Sequence, residues 1–253
     1  MRRLLLSAIL LSSLNVFVSS QAIAQARQLV VISAPSWSSE TGKLKMLSNV
    51  SGVWVQHGHE VAVVLGHGLA WGRGLQRKSK SGPKKREGDG RSPAGFFSLG
   101  PAFGYAKDPP SGCRLPYRTI TEQDYFVDDP NAKEYNQWVE LPRGTSPIQL
   151  WRSAEKMLRS DGLYVLGIVI DQNVDPIVRS RGSAIFFHVW RNASTPTVGC
   201  TAMAKTDLLK LIRWLDPAKK PLLIQAPAPE LPELRAQLES PALFSISATY
   251  REY

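Results

Sequence analysis

Ile185-Phe186-Phe187-His188-Val189-Trp190 is an apolar, aromatic-rich run that carries one histidine, and Thr197-Val198-Gly199-Cys200 follows it across a short polar loop. The first segment reads as a buried strand. The second ends in a glycine and a cysteine just before a helical pattern. A thiol beside an imidazole is the minimum equipment of a cysteine nucleophile. The thiolate attacks a carbonyl, the histidine takes and returns the proton, and backbone N–H groups hold the developing oxyanion. The histidine precedes the cysteine by twelve residues. In papain-like peptidases the cysteine comes first, near the mature N-terminus, so this order points to another scaffold.

Working outward, the pattern predicts a mainly β chain with a few helices. Gln28 to Ser33 reads as an apolar strand, and Gly42 to Leu47 with Gly52 to Gln56 as a hairpin. Val61 to Leu65 follows as the next strand, with turns expected at Asn49, Gly58 and Gly66. Residues 66–95 are rich in glycine and lysine and read as loop. Six basic residues fall from Arg77 to Arg86, either a solvated surface run or an anion site. Phe96 to Leu99 resumes a strand, and residues 100–150 read as a long insertion wrapped on the core. Ser153 to Ser160 is expected as a short helix. Tyr164 to Ile170 is expected as a buried strand with Ser183 to Trp190 as its neighbour.

After the cysteine, Thr206 is a fitting N-cap and Asp207 suits the first turn of a helix. Leu208, Leu211, Ile212 and Leu215 share one face, and Asp216-Pro217 stops the element. Leu222 to Gln225 returns as a last core strand, and the tail from Pro227 is expected to hold a small surface helix.

The first residues predict export. Arg2 and Arg3 precede an apolar run from Leu4 to Val18, and Ala24-Gln25-Ala26 is a small-x-small cleavage site, so residues 1–26 read as a signal peptide. The run is too short and interrupted to serve as a stable membrane span. The remaining chain, residues 27–253, is about 227 residues long and is read as one domain, with its core over 28–225 and a tail over 226–253. The formal charge of +10 becomes +8 without Arg2 and Arg3. A basic exported protein meets anionic surfaces, among them the carboxylates of a cell wall. No nucleic-acid-binding motif is present.

The full set of motifs resembles the L,D-transpeptidase catalytic domain of bacterial cell-wall enzymes. A strand histidine, a loop, a Gly-Cys pair and a following helix match that family's centre. Gly88-Asp89-Gly90-Arg91-Ser92-Pro93-Ala94-Gly95-Phe96-Phe97 is similar to its Thr/Ser-Pro-x-Gly-x-Phe segment. Asp128-Asp129-Pro130 with Tyr135-Asn136, Ile170-Asp171-Gln172-Asn173 and Gly182-Ser183-Ala184-Ile185-Phe186 resemble one branch of it. The resemblance spans most of residues 28–225. It departs at Val198, where the family has histidine, and at Thr201 and Ala202, where the family places a valine or isoleucine and then asparagine or arginine.

This resemblance implies an α+β fold, a β-sandwich with a helix after the catalytic cysteine. It implies an exported, periplasmic enzyme needing no cofactor, whose partners are peptidoglycan stem peptides. Cys200 would be the nucleophile and His188 its general base, with the backbone N–H groups of Gly199 and Cys200 forming the oxyanion hole. An amine acceptor gives a crosslink. Water as acceptor gives an L,D-carboxypeptidase or another amide hydrolase, and a chain that only binds the wall is the remaining alternative. Arg181, Ser183, Trp190 and Arg191 are the candidates for substrate contact, and a backbone carbonyl is the expected partner orienting His188.

Three further groups have duller readings. His57, His59 and His67 invite a zinc site, but Gly58 suggests a turn between the first two and no cysteine lies at ligand spacing. Asp128-Asp129 reads as a turn element. Cys113 and Cys200 are the two cysteines. A nucleophile must be reduced to act, so they are expected to be unjoined.

Overall fold

The computed structural model describes residues 23, 25–76 and 82–239. Most of the leader expected over 1–26 and part of the basic run from Arg77 lie outside the described residues. β1 (Gln28–Ala34), β2 (Thr41–Val50) and β3 (Val53–Val64) form an antiparallel meander. β13 (Leu222–Pro227) lies parallel to β1 and antiparallel to the long β5 (Ser92–Gly104). β5 also pairs with β10 (Leu166–Ile170), which pairs with β11 (Phe186–Val189). β11 runs parallel to β12 (Thr201–Met203), and β12 meets β3. The order returns to its start, so these eight strands form one closed sheet. β4 (Leu69–Trp71) and β6 (Tyr117–Thr119) attach to β5. The mainly β, α+β class expected from the sequence is the one observed.

Closure explains the apolar runs. A strand covered on both faces has no solvent side, so it reads as continuous rather than alternating. β1, with the sequence QLVVISA, is of this kind: only Ser33 of its seven residues is not buried. The interior is filled by such residues as Val30, Ile32, Leu44, Phe96, Phe97, Phe187 and Ile224, all under 1% exposed. The helix after the cysteine, α1 (Lys205–Trp214), buries Leu208, Leu211 and Ile212 and packs on β10 and β11. A second helix, α2 (Leu231–Glu239), occupies the tail where a small helix was expected, with Leu234 2% exposed.

Four expectations are corrected. β3 runs straight through Gly58, which takes φ +70° within a bulge opposite Leu44 and Met46. Glycine there marks a bulge rather than a chain reversal. Ser153–Ser160 is not helical: Glu155–Lys156 forms β9, paired with β7 (Asp124–Phe126), which also pairs with β8 (Trp138–Glu140). Glu155 and Arg159 form an ion pair at 3.0 Å without a helix between them. Residues 66–95 and 100–150 contain β4, the first four residues of β5, its continuation to Gly104 and β6 to β8, more regular structure than a loop and an insertion. α1 starts at Lys205, with Ala204 rather than Thr206 at its cap. Asp207 does sit in the first turn, bonded to Lys210.

Among the described residues no helix is long and apolar enough to cross a membrane. Nor does any group of three His, Cys, Asp or Glu have the geometry to hold a metal ion. His57 stacks on Trp214 with ring centroids 6.1 Å apart, and His67 Nδ1 lies 2.9 Å from Glu40.

Candidate active site

Alternation along β11 sorts its side chains onto two faces. Phe187 joins the main core, while Phe186 and His188 face an aromatic cluster containing Phe103, Phe126 and Tyr164. Phe186 meets Phe103, Phe126 and Tyr164 edge-on, with centroids 5.1–5.5 Å apart. This packing fixes the strand that carries His188. Because β12 is parallel to β11, with His188 opposite Ala202, Cys200 is delivered to the mouth of the same strand pair. Ala202 is fully buried, paired in the sheet with His188 on one side and Val64 on the other.

Cys200 is clamped through its backbone. Its carbonyl accepts from Ser92 Oγ at 2.8 Å and from Thr197 Oγ1 at 2.6 Å. Thr201 Oγ1 donates to Gln225 Oε1 at 2.8 Å, and Gln225 Nε2 donates to Pro93 O at 2.7 Å. Thr201 and Ala202, the two departures after the cysteine, are therefore sheet residues with no access to a ligand. Val198, the third, is 86% exposed and lines the mouth of the cleft beside Thr197. Gly199 takes φ +134°, a conformation open to glycine alone.

Cys200 and His188 line one cleft of about 930 Å³. The thiol bonds to backbone: Phe186 N–H donates to Sγ at 3.3 Å and Sγ–H donates to Ala184 O at 3.4 Å. No hydrogen bond joins Sγ to the imidazole. His188 Nδ1 lies 2.8 Å from Val189 O. A carbonyl only accepts, so Nδ1 carries the proton and Nε2 keeps its lone pair. This is the backbone carbonyl expected to orient the ring.

Burial pushes the His188 pKa down to about 4, with the Arg159 cation adding to the effect against the Val189 bond. Burial, reinforced by the Glu155 carboxylate, pushes the Cys200 thiol up to about 12. Desolvation disfavours the charged form of each group. The resting pair is a neutral thiol and a neutral imidazole, not an ion pair.

Of the sequence-predicted contact residues, Ser183, Trp190 and Arg191 line the cleft and Arg181 does not. Ser183 Oγ donates to Glu87 Oε2 at 2.8 Å, and Tyr135 donates to the same oxygen. Arg191 pairs with Asp161 at 3.7 Å. Arg181 offers only its carbonyl, to Gln172. The Gly199 N–H, expected in the oxyanion hole, donates to Thr197 Oγ1 at 3.1 Å, whereas the Cys200 N–H has no acceptor among the described residues. Asp129 caps the turn at Asn131, as its type suggested, and also accepts from the distant Arg152 N–H, but Asp128 lines the cleft and its buried Oδ1 has no hydrogen-bond partner among the described residues.

Sequence reading missed Lys85, Glu155, Arg159 and Tyr164, all of which line the cleft. Tyr164 donates to Glu155 at 2.8 Å and meets the His188 ring edge-on at 5.3 Å. Lys85 lies inside the basic run and carries no local signature. Cys113 and Cys200 are both free, Cys113 packing beside the main core and Cys200 within the aromatic cluster.

A cysteine and a histidine thus share one cleft at the rim of a closed sheet, with a helix following the cysteine. Residues 50–224 match the YkuD family model, described as the L,D-transpeptidase catalytic domain. That match covers more than half of the chain, and the chain belongs to this family. No curated protein matches the sequence. Among solved structures the chain is similar to the helical cell shape determining protein Pgp2 from Campylobacter jejuni, at 13% identity and a TM-score of 0.36. The similarity covers 79% of this chain and 47% of that one, so the chain spans about half the length of that protein.

Proposed function

We propose that the protein is an exported, periplasmic cysteine acyltransferase that acts on peptidoglycan stem peptides. The observation that carries this reading is Cys200 in one cleft with His188, whose Nδ1 is fixed and whose Nε2 is left basic. Family membership supports a peptidoglycan substrate. The leader-like residues 1–26 support export.

Chemistry starts from neutral partners. As Sγ approaches the amide carbonyl after the third stem residue, its proton passes to Nε2 of His188. The C–S bond forms and the carbonyl π pair moves to oxygen, where the Cys200 N–H is available to it. Collapse re-forms the carbonyl and breaks the C–N bond. His188 returns its proton to the departing amine of D-alanine, leaving a thioester on Cys200. An amine of a second stem then attacks the thioester and releases the thiol. His188 serves again in that step, so one base covers both halves. Arg191, Trp190 and Ser183 border the cleft where the stems would lie.

Incubating purified protein with peptidoglycan fragments and reading products by mass spectrometry tests the reading. New crosslinked dimers, with loss of D-alanine, are expected. Loss of D-alanine with no dimer makes the enzyme a carboxypeptidase. Unchanged fragments overturn the proposal.

A further inference from the structure

Lys85 is the most buried cation of the cleft, 3% exposed, where lysine is rarely found without a reason. Its stem runs across Gly182: a Cβ there would stand 2.9 Å from Lys85 Cε and 3.0 Å from Cγ, so only glycine leaves the channel open. Its head lies against the residue before the nucleophile. A Cβ on Gly199 would be 3.8 Å from Lys85 Nζ. The charge is held by Asp89, in the Gly88-Asp89-Gly90 turn, and Nζ also donates to Arg86 O at 3.2 Å. Asp89 is fixed in turn by the N–H groups of Arg86 and Arg91, at 2.8 and 3.0 Å.

An ammonium has three N–H donors. Asp89 and Arg86 take two, and the third has no acceptor among the described residues, while Lys85 lines the cleft that holds Cys200. Next to it an expected donor is missing, because the Gly199 N–H is turned to Thr197 Oγ1.

We propose that Lys85 is a catalytic residue. Its free N–H bonds the carbonyl oxygen of the acyl donor as Cys200 adds to it, forming with the Cys200 N–H a two-donor anion site. This rests on Cys200 acting as an acyl-accepting nucleophile. Lys85 transfers no proton. The thiol proton goes to His188, the new negative charge sits on the former carbonyl oxygen, and the lysine remains an ammonium throughout. A fixed cation aimed at developing charge in a site shielded from water is worth more there than in bulk solvent.

The test compares two electrophiles on a Cys113→Ser background, so that Cys200 alone is read. 4-Nitrophenyl acetate acylates the thiol through an oxyanion, while iodoacetamide alkylates it without one. Lys85→Met should slow acylation by about 10²–10³. Alkylation should slow only as far as loss of the nearby cation lowers the thiolate fraction, leaving acylation reduced at least about ten-fold more than alkylation. Because Lys85→Met strands Asp89, the double variant Lys85→Met/Asp89→Asn is measured beside it, and circular dichroism verifies both folds. Equal losses with the two reagents overturn the proposal, since they mean that Lys85 acts only on the thiol or the loop. Unchanged acylation overturns it, as does a wild-type Cys200 that is alkylated but never acylated. A wild-type chain that is acylated yet leaves stem peptides untouched instead refutes the peptidoglycan reading and leaves the lysine assignment standing.

Discussion

The backbone N–H of Phe186 points at the sulfur of Cys200 from 3.3 Å. The strand that carries His188 therefore also positions the thiol, two residues away on the same face. Thiol and imidazole are thus both tied to this strand even though no hydrogen bond joins them. The arrangement stabilises whatever negative charge the sulfur gains, and it makes the sulfur's place depend on the packing of Phe186 rather than on the imidazole.

Cys200→Ala should abolish turnover and leave the fold intact, because it removes the attacking atom while the clamps on the Cys200 carbonyl belong to Ser92 and Thr197. His188→Ala should lower kcat by about 10²–10⁴. Product formation from peptidoglycan fragments is the measurement, with a thermal melt as the fold control. A Cys200→Ala protein with wild-type turnover defeats the assignment.

The pH dependence follows from burial of His188. An ordinary histidine takes up its proton near 6.5, and this one only near 4. Between those values the unfolded chain binds a proton that the folded chain does not. Folding stability therefore falls as pH drops through that window and levels off below it. Urea melts from pH 7 to pH 4 should show this loss, and His188→Gln should flatten it. The acidic limb of activity should likewise lie below 6.5, because the base stays neutral further into acid.

Glu155 sets the thiol from a distance. Burial pushes the Glu155 carboxyl up while Tyr164 and Arg159 hold it down, and its carboxylate is one of the causes, second to burial, that hold the Cys200 pKa up. Glu155→Gln removes the charge and keeps an acceptor for Tyr164, so the thiolate fraction should rise. At fixed pH, iodoacetamide should alkylate Cys200 faster in the variant. A slower or unchanged rate contradicts the electrostatic reading.

Thr201→Val breaks a buried chain from Thr201 through Gln225 to Pro93 O without altering shape. Leaving Gln225 Oε1 unsatisfied should cost about 1–3 kcal/mol. In a chain of this size the melting temperature should fall by about 2–4 °C for each of those kcal/mol.

The site's centre was legible because its signal is local. A histidine in an aromatic run and a Gly-Cys pair before an amphipathic helix need no long-range information. β1, the strand at Leu222 to Gln225 and the Leu208–Leu211–Ile212 face are legible for the same reason. What escaped depends on partners distant in sequence. Gly58 signals a bulge only once β2 lies opposite. Glu155 and Arg159 have helical spacing, yet pairing with Tyr125 and Phe126 turns that segment into strand. Lys85 looks like its solvated neighbours until Gly182, Asp89 and Gly199 close around it. The sandwich expected from the family resemblance is a sheet whose ends meet, and no pattern within one strand encodes that β5 has partners on both sides.

That double pairing of β5 has a consequence for the order of events in biogenesis. β1 and β5 each take β13 as neighbour, and β13 follows them by more than 115 residues, at Leu222–Pro227. Until residues 222–227 are delivered, two strand edges stay bare and the ring cannot shut. A chain emerging N-terminus first thus remains threadable until those residues appear and then closes the ring in one step. Truncation before Leu222 should yield a species that exposes both edges and self-associates through them.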